Sequence, residues 1–112
     1  MIEIDAVFDE RGVLMSCKVS GHATAGHKGR DIVCAAVSVL ARTAMRVLSG
    51  REGILVRGGA PQEGVFWMEM DYTTEEGGKF LFAVGNFLME GLGSVSADYP
   101  DYCKMTITER RN

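Results

Sequence analysis

The sequence predicts a single small α+β domain spanning residues 1–112, of order β-β-α-β-β-α-β, with a mixed sheet carrying two helices packed on one face. Three observations lead there. Short period-two stretches recur along the chain, and two longer stretches repeat at helical spacing. The 112 residues suffice for one hydrophobic core and leave no room for a second domain.

Ile2, Ile4, Ala6 and Phe8 alternate with Glu3 and Asp5, the pattern of a strand with one buried face. The polar turn Asp9-Glu10-Arg11-Gly12 follows, and Val13, Met15, Cys17 and Val19 then repeat the alternation to complete a hairpin. From Gly21 to Arg30 there is no apolar side chain larger than Ala, and Gly21, Gly26 and Gly29 mark the segment as a mobile loop. At Asp31 the texture changes to a run of apolar residues. Asp31 is a good N-cap and Gly50 a good C-terminal stop, so the spacing predicts a helix between them, apolar nearly all round in its first half and hence central to the fold.

Ile54 to Arg57 reads as a short strand and Gly58 to Gly64 as a turn region. Val65 to Tyr72 reads as a strand whose Phe66, Met68, Met70 and Tyr72 share a face. A second helical pattern runs from about Lys79 to Ala97 on Leu81, Val84, Leu88, Leu92 and Val95. Gly85, Gly91 and Gly93 interrupt it at about 1 kcal/mol each relative to Ala, which points to close packing against the first helix or a partner chain. Pro100 closes that helix, and Cys103, Met105 and Ile107 alternate as a last strand. Trp67, Tyr99 and Tyr102 are expected as core or interface aromatics.

Composition narrows the function. A net charge of −3 without any run of Lys or Arg argues against an electrostatic nucleic-acid binder. No stretch approaches the ~20 uninterrupted apolar residues of a membrane span, and the N-terminus lacks a signal peptide's basic-then-apolar layout. The expectation is a cytoplasmic protein with no direct nucleic-acid or membrane partner. Its three cysteines are an odd count that cannot form a complete disulfide framework, so they are expected as reduced thiols.

One of them stands apart. With Asp31 as N-cap, Cys34 falls in the opening turn of the first helix, beside unsatisfied backbone N–H groups and the positive end of the helix dipole, an environment that stabilises a thiolate. The same amides would receive a developing oxyanion. Cys17 and Cys103 only alternate on strand faces and are expected as packing residues. A thiolate attacking a carbonyl needs a proton partner, and the chain has two histidines. His22 directly follows the second strand and is the candidate base, whereas His27 lies mid-loop with nothing beside it in sequence to fix it. Asp31 and Ser38, at i−3 and i+4 from Cys34, border the candidate site.

The plainer alternatives are an ordinary buried thiol at Cys34, a plain cap at Asp31 and a packing serine at Ser38. A zinc site from His22, His27 and Cys34 lacks paired CxxC spacing, and neither a metal nor a cofactor is expected. The missing CxxC likewise disfavours a redox protein.

Gly21-His22-Ala23, a short loop, then Gly29-Arg30-Asp31-Ile32-Val33-Cys34-Ala35-Ala36-Val37-Ser38 strongly resembles the signature of the ribosomal-processing cysteine proteases called Prp, or YsxB-like proteins. The hairpin start, Gly91-Leu92, Tyr99-Pro100-Asp101-Tyr102 and the closing strand extend the resemblance over nearly the whole chain. It implies a homodimeric cysteine endopeptidase that removes a short N-terminal extension from the twenty-seventh protein of the large ribosomal subunit, or trims capsid-related proteins in some phages. The family's catalytic pair falls on His22 and Cys34, with Asp31 and Ser38 in supporting positions. The loop between His and Cys, with Gly21, Ala23, Gly26 and Gly29, would order around substrate. The rival reading is a non-catalytic peptide-binding or ribosome-assembly module that uses the same glycine-rich loop.

Overall fold

The computed structural model describes the backbone of residues 1–21, 28–62 and 64–109, and their side chains except those of residues 28–31 and 62. The elements are β1 (Ile2–Phe8), β2 (Leu14–Ser20), α1 (Lys28–Leu48), β3 (Ile54–Gln62), β4 (Val65–Tyr72), α2 (Glu75–Asp98) and β5 (Cys103–Glu109). This is the expected order. The five strands form one mixed sheet in the order β3-β4-β2-β1-β5, in which only the β1–β5 pair is parallel.

Pairing register decides which residues reach the core. Ala6 pairs Cys17, which pairs Met68, and Ile4 pairs Val19, which pairs Phe66. Paired residues share a face, so Ile2, Ile4, Ala6, Cys17, Met68 and Met70 enter the core together while Glu3, Asp5, Lys18, Glu69 and Asp71 stand on the solvent side. The two helices pack against each other over the apolar face. Asp9 closes the β1–β2 turn, its carboxylate accepting hydrogen bonds from the N–H groups of Arg11 and Val13, each at 2.9 Å, and from the Tyr72 hydroxyl at 3.0 Å.

Several boundaries differ from the sequence reading, each for a local reason. α1 begins at Lys28, so Asp31 lies inside the helix and is not its N-cap, and Gly29 belongs to the helix and not to the loop. Along α1 the buried residues Val33, Val37, Ala41, Ala44 and Leu48 form one stripe. The helix is not enclosed all round, because Ile32, Val39 and Val47 remain exposed. Its end matches expectation, with Gly50 taking up the left-handed conformation at φ +75°. β3 continues through Gly58, Gly59, Ala60 and Pro61, where a turn was expected; it is an edge strand, whose free side tolerates proline, and its register against β4 slips between Gly59 and Gln62.

α2 starts at Glu75 and includes Gly77 and Gly78, earlier than the apolar periodicity suggested. Thr74 caps it by accepting the Gly77 N–H at 2.9 Å. Gly77 lies against the backbone of Gly53 and Gly78 against the Tyr72 ring, so both positions exclude a side chain. The three interior glycines of α2 face different neighbours: Gly85 meets Leu14, Gly91 meets Leu40 of α1, and Gly93 meets Met105. Only Gly91 serves the helix–helix contact. α2 is long and apolar enough to cross a membrane by length and composition, but its Leu81, Leu88 and Leu92 are buried in the core.

Candidate active site

The three thiols occupy very different environments. Cys17 is 0% exposed and Cys103 is 2% exposed, as expected of packing residues, whereas Cys34 is only half-buried. Burial, helped by the nearby Asp5 charge, pushes the Cys17 thiol up to about 12. Burial also raises Cys103 above the ordinary thiol value. Both are held protonated and out of reach.

Cys34 opens onto a cavity of about 360 Å³ bounded by three parts of the fold. One wall is the face of α1 carrying Cys34, Val37, Ser38, Ala41 and Arg42. The floor is the end of β2, from Val19 to Gly21, with Ile2 beside it. The opposite wall comes from β3 and β4 through Ala60, Gly64, Val65 and Phe66. A larger depression of about 680 Å³ lies around Arg57 and Glu69, but no cysteine lines it. The chemistry, and not the volume, singles out the Cys34 cavity.

Gly21 locks the floor of this cavity in place. Its N–H donates to the Gly64 carbonyl at 2.9 Å, joining the end of β2 to the β3–β4 connection. A Cβ at this position would lie 2.8 Å from the Met1 carbonyl oxygen and 2.9 Å from Ile2 Cα, so the start of β1 passes too close for any side chain. The chain enters residue 22 from a tightly fixed point.

Of the expected site residues, the structure brings Cys34, Ser38 and Gly21 to one cavity. His22, Ala23, Gly26 and His27 lie outside the described residues, as does the Asp31 side chain. Among the described residues no group of three His, Cys, Asp or Glu side chains could hold a metal. One expectation is overturned. Because α1 begins at Lys28, Cys34 stands in its second turn, where the backbone N–H is taken up by a carbonyl four residues back. The Cys34 amide is therefore not among the orphan donors of the helix start, and Cys34 does not sit at the dipole's positive end. Sequence reasoning also missed the wall opposite Cys34. Arg42, two turns along from Cys34, was within reach of a helix-stripe argument, whereas Phe66 becomes a neighbour only through the β2–β4 register and Ala60 and Gly64 only through the pairing of β3 with β4.

The family model of Cysteine protease Prp matches residues 1–104. The chain belongs to the Prp cysteine protease family. Among solved structures, SMU.848 from Streptococcus mutans is similar at 25% identity with a TM-score of 0.80, covering 98% of this chain and 96% of that one. The essential ribosomal processing protease Prp from Staphylococcus aureus, crystallised with a substrate peptide, has a TM-score of 0.80 at 17% identity, covering 96% of this chain and 100% of that one. The same S. aureus protease with a covalently linked product peptide has a TM-score of 0.77 at 19% identity, with coverages of 96% and 100%. At these lower identities the likeness carries the fold. No curated protein matches the sequence. Family membership makes this Prp chain a cysteine protease and selects that reading over the non-catalytic module.

Proposed function

We propose that this Prp protease uses Cys34 as nucleophile and His22 as its proton partner to remove a short N-terminal extension from the twenty-seventh protein of the large ribosomal subunit. The observation that carries the reading is that, of the three cysteines, only Cys34 is not fully buried, and the clamped Gly21 that lines the same cavity as Cys34 is covalently bonded to His22. Deprotonated by His22, the Cys34 sulfur attacks the scissile carbonyl carbon. The tetrahedral adduct expels the amine, which takes its proton from His22, and leaves a thioester. Water, giving a proton to His22, then attacks the thioester, releasing the new carboxylate and the thiol. Ser38, one turn beyond Cys34 and on the same cavity, and Asp31, about one turn before it in α1, have supporting roles beside this pair.

The reaction takes place in the cytoplasm, where the ribosomal protein is made. The protein works as a homodimer, a reading supported by apolar side chains that the helices leave in solvent, notably Val39 at 64% and Phe87 at 76% exposed.

The test is cleavage of a peptide spanning the ribosomal protein's N-terminal extension. The wild-type protein cuts it, and the Cys34→Ala and His22→Ala variants lose cleavage to near background while keeping the wild-type circular dichroism spectrum. Near-wild-type cleavage by either variant would refute the assignment. The host's ribosomal protein should begin with such an extension; a protein that starts at its mature residue removes the substrate.

A further inference from the structure

Cys34, Ser38 and Arg42 follow one another at i, i+4 and i+8 along α1, and all three line the same cavity. At the α-helical rise, Arg42 lies about 12 Å along the axis from Cys34. Among the described residues Arg42 is the only charged one in the cavity lining, whose other members are the apolar Ile2, Val19, Val37, Val65 and Phe66 and small residues. Its side chain is exposed, and among the described residues no carboxylate lies within ion-pair distance of it, whereas Arg57 and Lys79 are each engaged by glutamates on their own surfaces. A guanidinium at the edge of a cleft whose other described walls are uncharged presents a fork matched to a carboxylate.

We propose that Arg42 is a specificity-determining residue that pairs with an Asp or Glu side chain of the peptide substrate. This rests on Cys34 being the nucleophile, since that places the scissile bond at the other end of the cleft. An extended peptide advances about 3.3 Å per residue, so about 12 Å corresponds to three to four residues. The favoured acidic side chain therefore lies within about four residues of the scissile bond. The cleft combines apolar contacts near the reacting carbonyl with one charge contact at its far end.

A charge-swap cycle tests this. Peptides built on a cleaved substrate carry Glu or Lys singly at each position within four residues of the scissile bond, and kcat/KM is measured with wild type and with Arg42→Glu. The expected result is one position at which wild type prefers Glu over Lys by about fivefold, the upper range for an exposed pair, and Arg42→Glu reverses that preference. Arg42→Lys should keep the preference in weaker form. A Glu-to-Lys ratio that is the same in both enzymes at every position overturns the proposal. The same peptides, titrated onto the Cys34→Ala protein and its Arg42→Glu double variant, read the charge contact without catalysis. A Cys34→Ala protein that still cleaves defeats the nucleophile assignment, and unchanged charge preference in binding defeats the Arg42 assignment.

Discussion

Replacing Gly21 with alanine puts a methyl group where the backbone of β1 already passes. The added carbon would lie 2.8 Å from the Met1 carbonyl oxygen and 2.9 Å from Ile2 Cα, both backbone atoms that cannot rotate aside. Reaching the 3.4 Å of ordinary contact requires a shift of about half an ångström between the end of β2 and the start of β1. Overpacking of this kind costs about 1–3 kcal/mol, which in a domain of this size lowers the melting temperature by about 5–15 °C. The same shift displaces the point from which the chain enters His22 and strains the Gly21–Gly64 hydrogen bond of 2.9 Å. With His22 as the proposed proton partner, and with a 1 Å misplacement of a catalytic group costing on the order of a hundredfold in rate, half that displacement should cost about tenfold. Differential scanning fluorimetry gives the first quantity and peptide cleavage below the new melting temperature gives the second. A Gly21→Ala protein that melts like wild type would refute the close approach. One that melts lower yet cleaves at the full rate would refute the link between the strand end and His22.

Glycines within α2 should respond with opposite signs. Gly85→Ala places a Cβ 2.9 Å from the Cβ of fully buried Leu14 and should destabilise by about 1–2 kcal/mol, whereas Gly93→Ala meets only the flexible end of Met105 at 3.6 Å and should stabilise by about 0.5–1 kcal/mol in urea titrations. Equal signs for the two would contradict the packing. The Cys17 thiol is raised from 9.0 to about 12, so above pH 9 the unfolded chain loses this proton while the folded protein keeps it. Stability should then fall by up to about 1.4 kcal/mol per pH unit between pH 9 and 12 from this group, with Cys103 adding in the same direction. Cys17→Ala should flatten that slope, and an unchanged slope would count against burial of the thiol. Iodoacetamide should modify Cys34 first in the folded protein, because Cys17 and Cys103 are buried, and should modify all three at similar rates in denaturant. Mass spectrometry showing early labelling of Cys17 would contradict the register that buries it.

Much of this protein follows from local pattern. The alternation of Ile2, Ile4 and Ala6 depends only on the two-residue period of a strand, and those residues are the buried ones. Cys17 and Cys103 lie on the apolar side of their strands for the same reason, which separates Cys34 from them before any contact is known. Element order, the β1–β2 hairpin and the Gly50 stop are likewise contained in short stretches of chain.

Tertiary structure decided what no local pattern holds. The start of α1 at Lys28 runs through Gly29 and past Asp31, against their cap and loop preferences, and it moved Cys34 from the first helical turn to the second. The helical positions 77 and 78 are glycine because Gly53 and the Tyr72 ring leave no room for side chains there, a constraint set by residues outside the helix. The cavity wall opposite Cys34 exists because β4 pairs with β2 and so carries Phe66 and Val65 across from α1. The sequence by itself set Cys34 apart from the two strand-face cysteines by periodicity, and its resemblance to the Prp signature carried the class of chemistry. Which groups face that cysteine across the cleft was decided only by strand pairing and helix packing, because those contacts join residues far apart in the chain.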